Sequence, residues 1–394
     1  MTRMARERRW AESLFSPISI AAGACAVFVV LSTAFSRDPA HSVRHLAGLS
    51  LLLLIPITMD LVDDVDRGRA VFLAISASGV VLAIAGFWEF AHGGDDLYRR
   101  LQGGLSHWMT YAGLTMIAAC LLAGFALEDR GRWRIAGAVG VLPFAAMVLT
   151  FTRNAYVGAI AAAVSYLIVR RPRGVLFLAP ALVALFLIVP GSVRARFLSI
   201  GDLRDGSNWD RVLMVRAGMR MVADSPVFGI GPDEVRPLYP FYRDAEARDW
   251  NVPHLHNNVV QIAAANGLFA CAAYLALMGI FFGHTARALR RETDPGRASL
   301  LAAAWLSGVA LFVAGLFEYN FGDTEIQMAT LLILAVPFSK AFEQAGNREP
   351  SDQGERDGRG PPRSTRPGIE GRKGRRPALD GFRTEPLSGP SRRK

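Results

Sequence analysis

With 394 residues, 51% of them hydrophobic and only 20% charged, the chain has too little polar side-chain material to be covered as a soluble protein of this length would be. Its formal charge of +10 does not mark a nucleic-acid binder, because the basic residues gather in short loops and a C-terminal tail, where they act as topology determinants. Cys25, Cys120 and Cys271 all lie in apolar stretches, which argues against disulfides and Cys-based metal sites.

The chain opens with Arg3, Arg6, Arg8 and Arg9 ahead of the apolar run Pro17–Phe35. That run is long for a signal-peptide core, so a retained first transmembrane helix is expected. The composition predicts an all-α polytopic membrane protein with about ten spans of a length suited to a roughly 30 Å hydrocarbon core. They run near Pro17–Phe35, Leu46–Val62, Ala70–Ala91, Leu105–Leu127, Ile135–Phe151, Ala155–Val169, Val175–Val189, Val259–Gly283, Leu300–Phe317 and Ile326–Phe338. Arg67, Arg69, Arg130, Arg132, Arg134, Arg170, Arg171, Arg173, Arg287, Arg290, Arg291 and Arg297 fall on one side of this arrangement. Only Arg37, Arg44, Arg99, Arg100 and Arg153 fall in the short loops of the other. The positive-inside rule then places both termini in the cytoplasm and the long loop Pro190–His256 outside.

Four regions follow: 1–189 with the first seven spans, 190–256 as an outer loop subdomain, 257–342 with the last three spans, and 343–394 as a tail. The tail is rich in Pro, Gly, Ser and Arg and poor in large apolar residues, so disorder is expected. Within it, Ile369-Glu370-Gly371-Arg372 matches a protease site without any neighbouring tag, a coincidence of composition. In the loop, Asn208 to Asp224 reads as an amphipathic helix. Asn208 is its N-cap, Asp210 lies in its first turn, and Val212, Val215, Met219 and Val222 form its apolar face. Ser225-Pro226-Val227-Phe228-Gly229-Ile230-Gly231-Pro232-Asp233 follows as a turn-rich segment.

Three stretches could carry chemistry. Arg153 sits between two span ends, where an arginine is either functional or snorkels to the interface. Arg211, Arg216 and Arg220 lie on the loop helix, Arg216 and Arg220 sharing a face by their i, i+4 spacing. The loop holds nine arginines against nine acidic residues, so any anion site in it is local. Pro253-His254-Leu255-His256-Asn257-Asn258-Val259-Val260-Gln261 closes the loop and opens a helix, whose N-terminus favours anions. An extended entry segment would send His254 and His256 to opposite sides. Either could serve as a base or merely cap the helix, with Asn257 and Gln261 on the face below. Two histidines at this spacing could also hold zinc, but no third ligand stands at metalloenzyme spacing.

The ordered set Thr150-Phe151-Thr152-Arg153-Asn154-Ala155-Tyr156-Val157-Gly158, Asn208-Trp209-Asp210-Arg211, Asp224 to Pro232, His254 to Gln261 and Asn266-Gly267-Leu268-Phe269 resembles the O-antigen ligase and polymerase superfamily. The resemblance covers about Leu149 to Leu275 by motif. It implies a GT-C-like fold and metal-independent transfer of a glycan from undecaprenyl diphosphate to an acceptor hydroxyl at the outer face of the bacterial inner membrane. The acceptor would be a lipid A-core or another glycan or lipid. No cofactor and no nucleic-acid partner are implied. By matching positions, Arg153 and Arg211 would bind the diphosphate, and His256 would be the catalytic histidine with His254 as fallback. Asn257, Gln261, Arg216 and Arg220 would support them. Two positions depart from the pattern: Ala265 stands where a Glu is common, and Ala270 where a Gly is common. Asp64-Val65-Asp66 has the Asp-x-Asp pattern of metal-dependent relatives, but it falls on the cytoplasmic side. A repeat-unit polymerase and a protein O-oligosaccharide ligase share these motifs. A polysaccharide flippase would fit the spans, although no internal repeat is visible, and the two alanines would also suit a scaffold without activity.

Overall fold

The computed structural model describes residues 10–92, 100–129, 131 and 133–343, and these residues form one unit. The N-terminal arginines 3, 6, 8 and 9, together with Arg99, Arg130, Arg132 and the tail from 344, lie outside them. Among the described residues the secondary structure is helical throughout. In chain order the helices are α1 (Pro17–Ala34), α2 (Pro39–Leu61, with a 3-10 stretch over Val43–Leu53), α3 (Val65–His92), α4 (Trp108–Glu128), α5 (Arg134–Val148), α6 (Arg153–Arg170) and α7 (Val175–Ile188). The loop adds α8 (Gly191–Leu198), α9 (Gly206–Asp224) and α10 (Val235–Tyr242). The chain then returns through α11 (Asn258–Arg291), α12 (Pro295–Ala314) and α13 (Thr324–Phe342, with a 3-10 stretch over Val336–Phe338).

Seven of these, α1 to α4 and α11 to α13, are long and apolar enough to cross a membrane. The protein is thus a multi-pass membrane protein, with each expected span present as a helix. The other three expected spans fall short on physical grounds. Helices α5 and α7 have 15 and 14 residues, which at 1.5 Å per residue reach about 21–23 Å rather than 30 Å. Helix α6 carries an arginine at each end, Arg153 and Arg170.

Helix α12 is the core of the bundle. Its run Ala-Ser-Leu-Leu-Ala-Ala-Ala-Trp-Leu-Ser-Gly-Val-Ala is buried almost without interruption and packs on α4, α6 and α11. Small residues drive this, since helices in lipid gain by close van der Waals approach rather than by expelling water. Gly124 of α4 lies directly on the Ala303 backbone, and Gly158 of α6 faces the Ala310 carbonyl. At the end of α6 away from the long loop, Arg170 binds Glu128 (3.1 Å) and the carbonyls of Leu289 (2.8 Å) and Glu292 (3.0 Å). Helix α7, by contrast, buries none of its residues and presents Leu176, Phe177, Leu187 and Ile188 outward, as a lipid-facing element does.

The loop helix differs from its expected form in two respects. Its cap is Asp205, whose carboxylate accepts from the Ser207 and Asn208 N–H groups, so the helix starts two residues before Asn208. Its buried face is Leu213, Met214, Ala217, Gly218, Met221 and Val222, whereas Met219 is 56% exposed. The valines suggested a stripe one residue off, and tertiary contact with Leu255 and Val260 decided otherwise. Asp210 is drawn into a pair with Arg248.

Helix α11 breaks at Gly267, whose φ of +86° is accessible to glycine. The break frees the carbonyls of Ala264 and Ala265. The turn-rich loop segment captures them, Ile230 N–H donating to Ala264 (2.9 Å) and Gly231 N–H to Ala265 (3.0 Å). Ser32 Oγ of α1 also donates to Ala265 (3.0 Å), and Leu268 N–H donates to Pro226 (2.8 Å). A side chain at 267 would collide with the Val227 carbonyl. The Asp-Ser-Pro-Val-Phe-Gly-Ile-Gly-Pro segment is therefore a backbone clasp on a broken helix.

The α4–α12 contact gives a direct test. Gly124→Val forces its side chain into the Ala303 backbone and should cost about 3 kcal/mol or more, as overpacking against backbone does. A fall in the detergent-solubilised melting temperature, with Gly48→Ala unchanged because its Cβ would meet nothing within 4 Å, is the expected result.

Candidate functional site

Two cavities at the loop end of the bundle flank a buried carboxylate and two histidines. Asn257 caps α11, its side chain accepting from Val260 N–H (3.0 Å) and donating to the Leu316 carbonyl (2.7 Å). Asn258 N–H donates to Gly315 (2.7 Å), and the Asn258 side chain bonds Asn320 (2.8 Å) and the Phe321 N–H (3.2 Å). These bonds fix the segment after α12 against the start of α11 and bring Glu318, 5% exposed, beneath the histidines. With Asn258 and Val260 N–H already engaged, the helix N-terminus is not a free anion cradle, and the negative charge near it belongs to Glu318.

Both histidines meet that carboxylate. His256 Nδ1 lies 2.7 Å from Glu318 Oε2, and His254 Nε2 lies 3.4 Å from Oε1. They do not diverge as an extended segment would make them, because His256 takes φ +49°, a left-handed conformation that turns its ring back to the side of His254. The rings stand edge to face with centroids 4.4 Å apart. Burial alone would raise the Glu318 pKa, but the hydrogen bond from His256 and the charges of His256, His254 and Arg211 hold it below its usual value. The carboxylate is thus ionised and only accepts, so the His256 Nδ1 that faces it carries a proton, and Nε2 is the ring nitrogen turned away from Glu318. His254 Nδ1 accepts from the His256 N–H (3.3 Å), which puts its proton on Nε2 facing Glu318. Burial, opposed by Glu318 and helped by the charges of His256, His107 and Arg211, pushes His254 down to about 4. His254 is therefore neutral with both nitrogens facing partners, whereas His256 Nε2 makes no hydrogen bond among the described residues. Gln261 supports the pair from below by accepting from Leu255 N–H (2.9 Å).

The ligand atoms of His254, His256 and Glu318 lie within 4.8 Å of one another, an arrangement that could hold a metal ion. Spacing along the chain did not reveal the third member, which comes from 62 residues beyond His256. For zinc the donor types fit, two imidazoles and a carboxylate.

On one side of this trio, Arg100, Arg153, Arg196 and Arg211 converge on a pocket closed by Phe151 and Phe317, with only about 50 Å³ free. Arg153, at the first turn of α6 and 7% exposed, bonds the Ser199 carbonyl and hydroxyl (3.1 Å each), Asp205 (3.1 Å) and the Ser207 hydroxyl. It is no snorkelling residue. Arg196 reaches Asp205 (3.7 Å) and the Phe151 carbonyl (3.0 Å). Arg211 Nε donates to the Phe317 carbonyl (3.1 Å), one residue from Glu318, and Arg100 lies over the Trp108 ring at 4.8 Å. Burial first, and then the like charge of Arg153, lowers the pKa of Arg100, Arg196 and Arg211, which stay charged as arginines do. The hydrogen bond from Arg153 holds Asp205 well below the carboxylate range. Arg216 and Arg220 do not join them. Arg216 lies over Trp209 at 5.3 Å, and Arg220 binds the Tyr242 carbonyl (2.8 Å) and Asp244.

Three functional candidates escaped the sequence. Arg100 and Arg196 were hidden among other loop arginines. Glu318 had a signal: it is a charged residue at the end of an apolar span, the kind of position that calls for a partner.

The His254 environment gives a pH test. Its pKa falls from 6.5 in the unfolded chain to about 4, so the stability tied to the neutral ring is fully present above pH 6.5 and is lost as pH falls through 4. Hydrogen exchange over residues 253–262, corrected for intrinsic rate, should quicken across that window, and His254→Gln should flatten the dependence.

Residues 138–275 match the family model described as O-antigen ligase. No curated protein matches the chain. The matched segment contains Arg153, Arg196, Arg211, His254 and His256, while Arg100 and Glu318 lie outside it. Over these 138 residues, about a third of its length, the chain is similar to the O-antigen ligase family.

Proposed function

We propose that the protein transfers a glycan from undecaprenyl diphosphate to an acceptor hydroxyl without a metal, at the outer face of the inner membrane. The observation that carries this reading is the placement of four arginines on one side of an oriented His256–Glu318 pair. The acceptor oxygen attacks the anomeric carbon of the lipid-linked sugar, the bond from that carbon to the diphosphate oxygen breaks, and the hydroxyl proton passes to His256 Nε2. Charge grows on the departing diphosphate. Arg153, Arg196, Arg211 and Arg100 neutralise it by charge-assisted hydrogen bonds in a site screened from water. These guanidiniums supply the positive charge that a divalent cation supplies in other diphosphate-leaving reactions. Glu318 orients His256 and stabilises its protonated form, and His254 positions Glu318 rather than taking the proton.

The free volume beside the arginines is too small for a diphosphate. Donor binding therefore displaces Asp205 from Arg153 and Arg196, replacing one negative charge by the two of a diphosphate diester, which suits a pocket of four guanidiniums.

Arg153→Ala, Arg211→Ala and His256→Ala should each abolish detectable transfer to a purified acceptor while expression and membrane insertion persist. A loss of about 10²- to 10³-fold per arginine is the scale expected for removing a preorganised donor. Wild-type turnover in all three would sink the assignment. Activity should also survive EDTA, and a requirement for added Mn²⁺, Mg²⁺ or Zn²⁺ would make the His254–His256–Glu318 trio a metal centre instead. Glu318→Gln should lower kcat with little change in the donor KM, since it leaves the arginine pocket intact.

A further inference from the structure

We infer that the His254–His256–Glu318 trio is a seat for an inhibitory zinc ion, which disables His256 by claiming the ring nitrogen that faces Glu318. The seat stands on geometry, and only the inhibition rests on the transfer reading. Among the described residues these side chains form the one group of three or more His, Cys, Asp and Glu whose ligand atoms all lie within 4.8 Å of one another. Tetrahedral zinc holds nitrogen and carboxylate oxygen at about 2.1 Å, so its ligand atoms stand about 3.4 Å apart. His254 Nε2 is already 3.4 Å from Glu318 Oε1. His256 Nδ1 lies 2.7 Å from Oε2 and has to open by about 0.7 Å to reach that spacing.

The donor set selects the metal. Two imidazoles with one carboxylate suit zinc, whereas magnesium and calcium call for oxygen ligands. Three protein ligands leave a fourth position to water, and His254 lines a cavity of about 930 Å³ through which an ion can enter. Two features make the site reversible rather than permanently filled. A zinc-bound imidazole ordinarily donates its other N–H to a carbonyl or a carboxylate. His254 Nδ1 instead faces a donor, the His256 N–H at 3.3 Å, so binding through Nε2 moves the His254 proton to Nδ1 and breaks that bond. Arg211, held at the Phe317 carbonyl one residue from Glu318, repels a cation as well. The effect on His256 follows from where its proton goes. The metal takes the lone pair of Nδ1, the proton held there moves to Nε2, and the neutral ring keeps one proton. Nε2 then has no lone pair for the acceptor proton, and Glu318 spends its charge on the metal instead of on a protonated His256.

The test adds zinc to the full chain in lipid nanodiscs, first stripped with EDTA and freed of it. One equivalent should bind with a micromolar dissociation constant, read by competition with a chromophoric chelator. X-ray absorption at the zinc edge should show nitrogen and oxygen neighbours only, two of them imidazoles. That spectrum is read on the wild-type chain, so it decides the ligands even where a variant fails to fold. His254→Ala, His256→Ala and Glu318→Ala should each weaken binding about tenfold or more. His41→Gln and His45→Gln, whose rings pair with Glu234 and Asp233, should leave it unchanged. No binding, sulfur beside the zinc, fewer than two imidazoles, or loss of the site in His41→Gln or His45→Gln would overturn the seat. In turnover with a lipid-diphosphate donor, bound zinc should cut the rate at least about tenfold and EDTA should restore it, whereas zinc that speeds transfer would overturn the inhibition. Should the wild-type protein transfer nothing, the transfer reading fails while binding and X-ray absorption still decide the seat.

Discussion

A carboxylate held 5% exposed where a membrane helix ends must be either protonated or compensated, because an uncompensated buried charge is among the costliest features a fold can carry. Glu318 is compensated. Two imidazoles and, one residue away on the backbone, Arg211 converge on it, and each brings its own element: the loop–α11 junction for the histidines and α9 for the arginine. The polar side of the molecule is thereby tied to the end of α12, its most buried helix. Position 265, four residues after Gln261, is an alanine, and it is its backbone carbonyl that takes part, held by Gly231 N–H and Ser32 Oγ. The acid that faces the histidines comes from a different helix end.

The arginine pocket obeys the same accounting. Four guanidiniums converge at a helix start, and Asp205 serves twice, as the cap of α9 and as the counter-ion of Arg153 and Arg196. Ser207, in the first turn of the same helix, is a second tie to Arg153. In the proposed reaction, the donor and the cap of α9 would compete for the same guanidiniums.

Much of this was legible in the chain, and the reasons for the gaps are physical. Apolar runs showed where helices form because lipid imposes length and composition on each span separately. They overcounted spans that qualify because α5 and α7 are apolar enough but too short. Arg153, Arg211 and His256 were visible because their motifs are local and ordered. Glu318, Arg100 and Arg196 were not, because their meaning depends on partners distant in sequence, Glu318 lying 62 residues from His256 and Arg196 45 from Phe151, and no local pattern encodes that. His254 and His256 were expected on opposite sides of the segment but share one, because the alternation of an extended chain fails at the left-handed His256, and histidine is one of the few residues that takes that conformation readily. The stripe on α9 was displaced by one residue because packing against Leu255 and Val260, not valine spacing, chose the buried face.

The discontinuity at Gly267 has a mechanical meaning. A continuous helix transmits rotation and tilt along its axis, but here the ladder is cut and the freed carbonyls are tied sideways, to residues 230 and 231 and to Ser32. The nine residues from Asn258 to Asn266 are therefore fastened to the loop and to α1, and only loosely to the long membrane-embedded remainder of their own helix. Bilayer thickness can change, and the lower part of α11 can tilt to match it, without carrying the histidines out of register with Glu318. A joint at this depth lets the His254–His256–Glu318 cluster keep its geometry on a scaffold that has to accommodate a fluid solvent.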